Sequence, residues 1–189
     1  MNSWRKAALK VRTLRSIPII LLILIVSFPL VRMSSSAQQQ ETINTIFLLR
    51  HAEKADDGTS DPPLTEAGRE RAAALADLLE DANITGIYTS DYQRTRQSVE
   101  PLAEQTGIEL NLYDPRQLSA TADLLKTLPG RYVISGHSNT TPELVRLLGG
   151  EPGTPIVEAG ENDRLYILTR HSDGQITTIL LRYGERFRP

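Results

Sequence analysis

From residue 44 onward, short apolar runs alternate with stretches in which apolar residues recur every three or four positions. Uninterrupted apolar runs such as 45–49 are typical of strands buried on both faces of a sheet. The three-to-four-residue spacing predicts amphipathic helices, and Thr65 is suited to cap the first of them. The pattern predicts strands at 45–49, 86–90, 108–112, 131–135, 164–169 and 175–183, and helices at 65–80, 92–105, 122–128 and 141–148.

Alternation of strands and helices predicts an α/β domain over residues 45–189, a three-layer sandwich with a mostly parallel central sheet flanked by helices. The last two predicted strands are separated by Asp173-Gly174, a dipeptide typical of hairpin turns, so they are expected to be antiparallel.

The first 37 residues have a different pattern. A basic stretch is followed by an uncharged apolar run at 17–31, which is shorter than the roughly 20 residues of a membrane-spanning helix. Ser35 and Ala37 are suitable small residues for a cleavage site. We expect residues 1–37 to be a cleaved signal peptide or, as the alternative, an N-terminal membrane anchor, followed by a polar tether at 38–44. A mature mass lacking residues 1–37 would support cleavage.

Charge is distributed unevenly between residues 1–37, here called the leader, and residues 38–189, here called the body. The net charge is −2, but residues 1–37 hold six basic residues and no acidic one, so the remaining 152 residues carry 15 basic against 23 acidic. By the positive-inside rule, the leader places the body outside the cytoplasm, in the periplasm, with membrane contact through the N-terminal segment alone. An acidic body argues against a nucleic-acid partner. The absence of cysteine excludes disulfides, thiolate catalysis and cysteine-bound zinc.

Candidate chemistry lies at the ends of the predicted strands. The pair Arg50-His51 follows the first strand, His137 follows the 131–135 strand, and Arg94 lies four residues beyond the end of the 86–90 strand. Ligands of open α/β sheets bind at the carboxyl ends of the strands, where these side chains are expected to meet. Arginine matches the oxygens of a phosphoryl group, and nearby arginines keep an imidazole neutral. We expect a metal-independent anion site without a cofactor, in which His51 attacks phosphorus and a protonated His137 stabilises the developing charge.

Four ordered segments resemble the histidine phosphatase superfamily, which has the phosphoglycerate mutase-like fold. FLLRHAEK at 47–54 resembles its RHG or RHA signature, PLTEAG at 63–68 its first-helix entry, 88–98 the segment of its second arginine, and VISGHSNT at 133–140 that of its second histidine. The resemblance implies that His51 accepts the phosphoryl group and that Arg50, Arg94 and His137 form the rest of the phosphate pocket. Its compact branch, similar to phosphohistidine phosphatases, fits this chain best.

The general acid is left open by this resemblance. Mutase-type members carry an acidic residue on an insertion after the second helix, whereas here about 25 residues separate Glu104 from Arg131. Without room for a large lid, hydrolysis is favoured over a mutase cycle. Asp114 is the preferred general acid and Glu53 the alternative. Asn139 is a candidate for substrate binding, although it could equally cap the following helix.

The expected substrate is a small phosphomonoester or a phosphohistidine in a phosphoprotein. Two other functions fit parts of the same pattern. A non-catalytic phospho-ligand binding module would keep the pocket without turnover. A metal hydrolase would use His51, Glu53 and His137 as ligands, although the adjacent arginines would repel the cation. The sequence carries no signal for the oligomeric state.

Overall fold

The computed structural model describes residues 44–188. The elements are β1 (Asn44–Arg50), α1 (Glu66–Leu78), β2 (Gly86–Ser90), α2 (Gln93–Gln97), α3 (Glu100–Thr106), β3 (Leu110–Tyr113), α4 (Leu118–Thr127), β4 (Gly130–Gly136), α5 (Thr140–Leu147), β5 (Arg164–Arg170) and β6 (Ile176–Arg182). The predicted signal peptide or anchor at 1–37 lies outside the described residues. Within 44–188, none of the helices has the length and apolar character needed to cross a bilayer.

The six strands form one sheet in the order β3-β2-β4-β1-β5-β6. Strands β3, β2, β4 and β1 are parallel, whereas β5 runs antiparallel to β1 and pairs with β6 as the predicted hairpin. The expected α/β fold with a mostly parallel sheet is confirmed. Its register places Arg50 opposite Gly136 and Thr89 opposite Ser135, so β2, β4 and β1 end side by side.

Both faces of the sheet are covered by helices. On β1, Ile46 and Leu48 pack with residues of α4 and α5, while Phe47 and Leu49 pack with residues of α1 and α3. Alternate side chains of a strand point to opposite faces, so an unbroken apolar run supplies both cores. This packing explains why β1 contains no polar position between Thr45 and Arg50.

Two helices depart from the predicted boundaries. The helix predicted at 92–105 is divided into α2 and α3, because Pro101 cannot continue a helix: it lacks the N–H, and its ring would clash with the carbonyl of Gln97. Helix α4 begins at Leu118, four residues before the predicted start. Leu118 packs against the core one turn ahead of Ala122, which extends the buried face of the helix.

Candidate active site

The edge formed by the carboxyl ends of β1, β2 and β4 brings the two predicted histidines together. The backbone N–H of His51 donates to the carbonyl of Gly136 at 2.9 Å, which ties the end of β1 to the end of β4. The imidazole rings of His51 and His137 lie with centroids 5.6 Å apart at an interplanar angle of 68°. The expected meeting of these side chains at one sheet edge is thus observed in the geometry.

A cavity of about 360 Å³ opens above this edge. Its wall combines both histidines with three basic side chains and one acidic one. The lining residues are His51, Lys54, Tyr92, Arg94, Pro115, Arg116, His137, Ser138, Asn139, Thr140 and Glu158. A positive excess of this kind, next to the N-terminus of α5, suits an anionic ligand.

His51 is held in the tautomer that a nucleophile needs. Its Nδ1 lies 2.7 Å from the carbonyl of Ala52, and a carbonyl only accepts, so Nδ1 carries the proton and Nε2 keeps its lone pair. Burial is the main cause that lowers the pKa of His51 to about 3, and the charge of Arg50 adds to it. The imidazole is 3% exposed and therefore neutral near pH 7.

The backbone around His51 is held by two side chains. Asn162 donates to the carbonyl of His51 at 2.8 Å, and Ser98 accepts the N–H of Ala52 at 2.8 Å. Ser98 also donates to the carbonyl of Arg94 at 2.6 Å, so one hydroxyl links the His51 turn to helix α2.

The surroundings of His137 favour its neutral form. Burial, followed by the charges of Arg94 and Arg50, lowers the pKa of His137 to about 4, so the imidazole is neutral near pH 7 rather than protonated. The two arginines oppose a third positive charge beside them. Ser90 Oγ lies 3.0 Å from His137 Nε2, and the Tyr92 ring packs edge-on at 5.1 Å. A bound phosphoryl dianion would favour the protonated ring, because it adds the opposite charge.

The lowered pKa of His51 predicts a specific loss of stability in acid. Below pH 6.5 the unfolded chain protonates this imidazole, whereas the folded domain excludes the proton until the pH approaches 3. The free energy of unfolding therefore falls as the pH falls, by about 1.4 kcal/mol per pH unit once the unfolded histidine is fully protonated. We expect urea unfolding between about pH 7 and about pH 5 to show a shallower fall for His51→Asn than for His171→Asn, whose histidine lies on the exposed β5–β6 turn. Equal slopes for the two variants would contradict the buried neutral state.

Arg94 projects into the cavity, whereas Arg96 does not. The Arg94 side chain is 14% exposed, stacks on the Tyr92 ring at 4.4 Å and lies 3.5 Å from the Asp61 carboxylate. Its Nε and Nη1 are buried and form no hydrogen bond within the described residues. Arg96 is 42% exposed and pairs with Asp91. Arg94 thus lines the cavity while its Nη1 is paired with Asp61.

Arg50 is buried behind the cavity and has mostly other partners. Its Nη1 donates to the carbonyls of Val157 and Glu161, and its Nη2 donates to the carbonyl of Glu158 and pairs with the Glu158 carboxylate at 3.2 Å. Of the five N–H donors of arginine, only the one on Nε has no partner. Arg50 therefore holds the segment before β5 in place, and it does not line the cavity.

The segment that Arg50 contacts is itself anchored by a buried ion cluster. Glu161 pairs with Arg164 at 2.7 Å and with Arg182 at 2.8 Å, and Arg182 also pairs with Asp163 at 2.6 Å. The backbone N–H of Val157 donates to Glu161, which closes the loop on itself. Buried charges need ion-pair and hydrogen-bond partners, so this network fixes the loop against the sheet.

Asp114, the preferred general acid, lies outside the cavity lining. Its carboxylate accepts four hydrogen bonds, from the backbone N–H, Nε and Nη2 of Arg116 and from Gln117 Nε2. The side-chain hydrogen bond from Arg116 is the main cause that lowers the pKa of Asp114 to about 2. Because this carboxylate does not line the cavity with the two histidines, the geometry gives little support to Asp114 as an acid.

Glu53, the alternative acid, faces away from the two histidines. Its carboxylate receives Nε and Nη2 of Arg71 at 2.7 to 3.0 Å and borders another cavity near the chain's C-terminal segment. The proposed metal ligands His51, Glu53 and His137 are therefore not brought together. Residues 44–188 contain no group of three histidine or acidic side chains placed to hold a metal ion.

Several lining residues were not foreseen from the sequence as parts of the site. Glu158 comes from the Gly/Pro-rich connection between α5 and β5, and Tyr92 and Arg116 come from two further connections. No periodicity or motif marks them, because they reach the cavity through tertiary contacts. Asn139, the predicted substrate ligand, lines the cavity and makes no side-chain capping bond, although it occupies the N-cap position of α5.

These features describe an α/β domain with a cavity of positive charge excess at the edge of its parallel strands. The sequence model of the histidine phosphatase superfamily (branch 1) matches residues 46–116. A relative from Photorhabdus laumondii, named probable phosphoglycerate mutase GpmB, is 32% identical over 131 residues, which cover 66% of this chain and 59% of that relative. Two further relatives of that name are covered over 40% and 41% of their length. The chain thus spans about half the length of the curated relatives it matches.

Solved structures share the fold. The protein histidine phosphatase SixA complexed with tungstate superposes with a TM-score of 0.59 at 20% identity, covering 73% of this chain and 96% of that chain. The mycobacterial glucosyl-3-phosphoglycerate phosphatase Rv2419c superposes with a TM-score of 0.57 at 18% identity, covering 75% of this chain and 98% of that chain. The resemblance found in the sequence is confirmed: the family model of the histidine phosphatase superfamily matches residues 46–116, and the solved structures have the same fold.

Proposed function

We propose that this protein is a phosphatase that hydrolyses a phosphomonoester or a phosphohistidine through a covalent phosphohistidine on His51. The observation that carries the proposal is the state of His51, a buried neutral imidazole whose Nδ1 proton is bound by Ala52 and whose Nε2 is free to attack. Only the neutral imidazole has the free lone pair that can bond to phosphorus.

In the first step, Nε2 of His51 attacks phosphorus in line and the bond to the leaving oxygen breaks. The guanidinium of Arg94 on the cavity wall, the positive charge of Arg50 behind it and the proton that His137 takes up with the substrate stabilise the charge on the phosphoryl oxygens. Asn139 and the N-terminus of α5 are placed to add neutral donors. Water then attacks the phosphohistidine, which releases phosphate and restores His51.

Hydrolysis is favoured over transfer to a second substrate because the rim is open to water. The side chains of Glu158 and Arg116, both on the cavity wall, are 70% and 88% exposed. The chain between α3 and β4 is occupied by β3 and α4, with no long insertion that would form a lid. A mutase must keep water from its phosphorylated intermediate, which this arrangement does not favour.

Trapping the intermediate tests the proposal. The purified protein is mixed with a panel of substrates radiolabelled on phosphorus, including p-nitrophenyl phosphate, sugar phosphates and a phosphohistidine peptide, and is then quenched in alkali. We expect label on His51 in a linkage that survives alkali and is lost in acid, together with catalytic release of phosphate. Turnover without labelled His51 would contradict the covalent route, and ligand binding without turnover would favour the non-catalytic binding module.

A mutase is the second candidate, because the relatives in the sequence comparison are named probable phosphoglycerate mutase. The two activities differ in their product from a phosphoglycerate. A phosphatase releases inorganic phosphate, whereas a mutase yields an isomer of the phosphoglycerate supplied. Phosphorus NMR of the reaction mixture distinguishes them.

The leader supports an extracytoplasmic location for this activity. Its basic start and apolar run remain the basis for an exported, periplasmic domain, with a cleaved signal preferred over a single anchor. The substrate would then be a phosphoester or phosphoprotein that is accessible outside the cytoplasm.

A further inference from the structure

The cavity wall contains one carboxylate among residues 44–188, and it belongs to Glu158. The two carboxyl groups suggested by the sequence, those of Asp114 and Glu53, do not line this cavity. A phosphatase that acts on an ester with a poor leaving group needs a proton donor at the leaving oxygen.

Glu158 is held at the rim by contacts on both sides. Arg50 Nη2 donates to its main-chain carbonyl at 2.9 Å and lies 3.2 Å from its Oε1. Ser138, the residue after His137, donates a hydrogen bond to Oε2. The carboxylate thus spans the ends of β1 and β4 while 70% of the side chain faces solvent, so protons and water reach it.

We propose that Glu158 is the general acid and base of this site, which rests on the proposed phosphatase function. As Nε2 of His51 bonds to phosphorus, the P–O bond breaks, its electron pair stays on the leaving oxygen, and the Glu158 carboxyl transfers its proton there. Glu158 then takes a proton from the attacking water, the P–N bond breaks, and its electron pair returns to Nε2.

A change in leaving group separates this role from a structural one. For wild type, Glu158→Gln and Glu158→Asp, kcat/KM is measured with p-nitrophenyl phosphate and with glycerol phosphate. The p-nitrophenolate leaving group departs without a proton, whereas the glycerol oxygen needs one. Glutamine keeps the size of the side chain and an oxygen for Ser138. We expect Glu158→Gln to lose about 100-fold or more on glycerol phosphate but to stay within about threefold on p-nitrophenyl phosphate. Glu158→Asp is expected to recover part of the loss.

The matched control is Glu151→Gln. Glu151 is exposed on the same connection before β5, makes its hydrogen bond to Thr178 through the backbone N–H and does not line the cavity. Its variant should hydrolyse both substrates like wild type. Asp114→Asn is assayed in parallel as the rival carboxyl.

The outcomes distinguish this inference from the proposed function. If wild type hydrolyses both esters through labelled His51 but Glu158→Gln loses equally on both, or gains on both because a competing carboxylate is removed, Glu158 is not the acid. A selective loss in Asp114→Asn in place of Glu158→Gln also overturns the inference. If wild type neither turns over nor labels His51, the proposed function fails instead.

Discussion

Replacing His51 with alanine is expected to reduce phosphate release by about 10⁴-fold or more, because it removes the group that bonds to phosphorus. The remaining donors of the cavity can bind the phosphoryl group but cannot form the covalent intermediate. The measurement is the rate of p-nitrophenyl phosphate hydrolysis together with label retained on the protein after an alkaline quench. Both signals should disappear in His51→Ala.

The matched control for this substitution is His171→Ala. His171 lies on the exposed β5–β6 turn, where its Nε2 is within 2.6 Å of Thr177 Oγ1, and it does not line the cavity. This variant should retain wild-type activity. Unfolding curves of both variants show whether the loss in His51→Ala reflects chemistry rather than misfolding. Hydrolysis by folded His51→Ala at the wild-type rate would rule out His51 as the nucleophile.

Arg94→Ala is expected to lower kcat/KM by about 10³-fold, or about 4 kcal/mol of transition-state stabilisation. The reason is the guanidinium of Arg94 on the cavity wall, which would place a positive charge and a planar fork of donors beside a bound phosphoryl group. Lysine at this position keeps a charge but loses the planar fork, so Arg94→Lys should recover only part of the activity.

Arg96→Ala is the control for Arg94, since it removes the same side chain two residues away on the same helix. Arg96 is exposed and pairs with Asp91, and surface pairs of this kind contribute about 1 kcal/mol or less. We expect its kcat/KM to stay near that of wild type. Equal losses in the two variants would indicate that α2 itself, rather than the Arg94 guanidinium, is needed.

Much of the fold follows from local pattern. The run at 45–49 has apolar side chains at successive positions, and a parallel sheet covered by helices on both faces is the architecture that buries such a strand. Pro101, by contrast, divides a helix whose apolar spacing looked continuous. The division of this helix follows from one residue, but the regular apolar spacing on both sides of Pro101 led to the prediction of a single helix.

Part of the site could also be predicted from local pattern. His51 and His137 follow strands directly, and Arg94 begins the helix after another, so topology alone brings them to one edge. The charge of His137 could not be derived this way, because its pKa depends on burial and on Arg94 and Arg50 together. The sequence likewise predicted that Arg50 donates to phosphate. In the structure, four of its five N–H donors instead face the loop at 157–161, more than 100 residues away in the chain.

The sequence by itself predicted the layered fold, the family resemblance and the strand ends that carry the two histidines and two arginines, because each of these depends on residues close together in the chain. Only the tertiary structure decided which carboxyl group faces the histidines. Asp114 and Glu53 are near the site in sequence but are bound by Arg116 and Arg71, while Glu158 reaches the cavity through Arg50 and Ser138. Carboxylates pair with whichever cations the fold places beside them, and those neighbours are set by packing between distant segments.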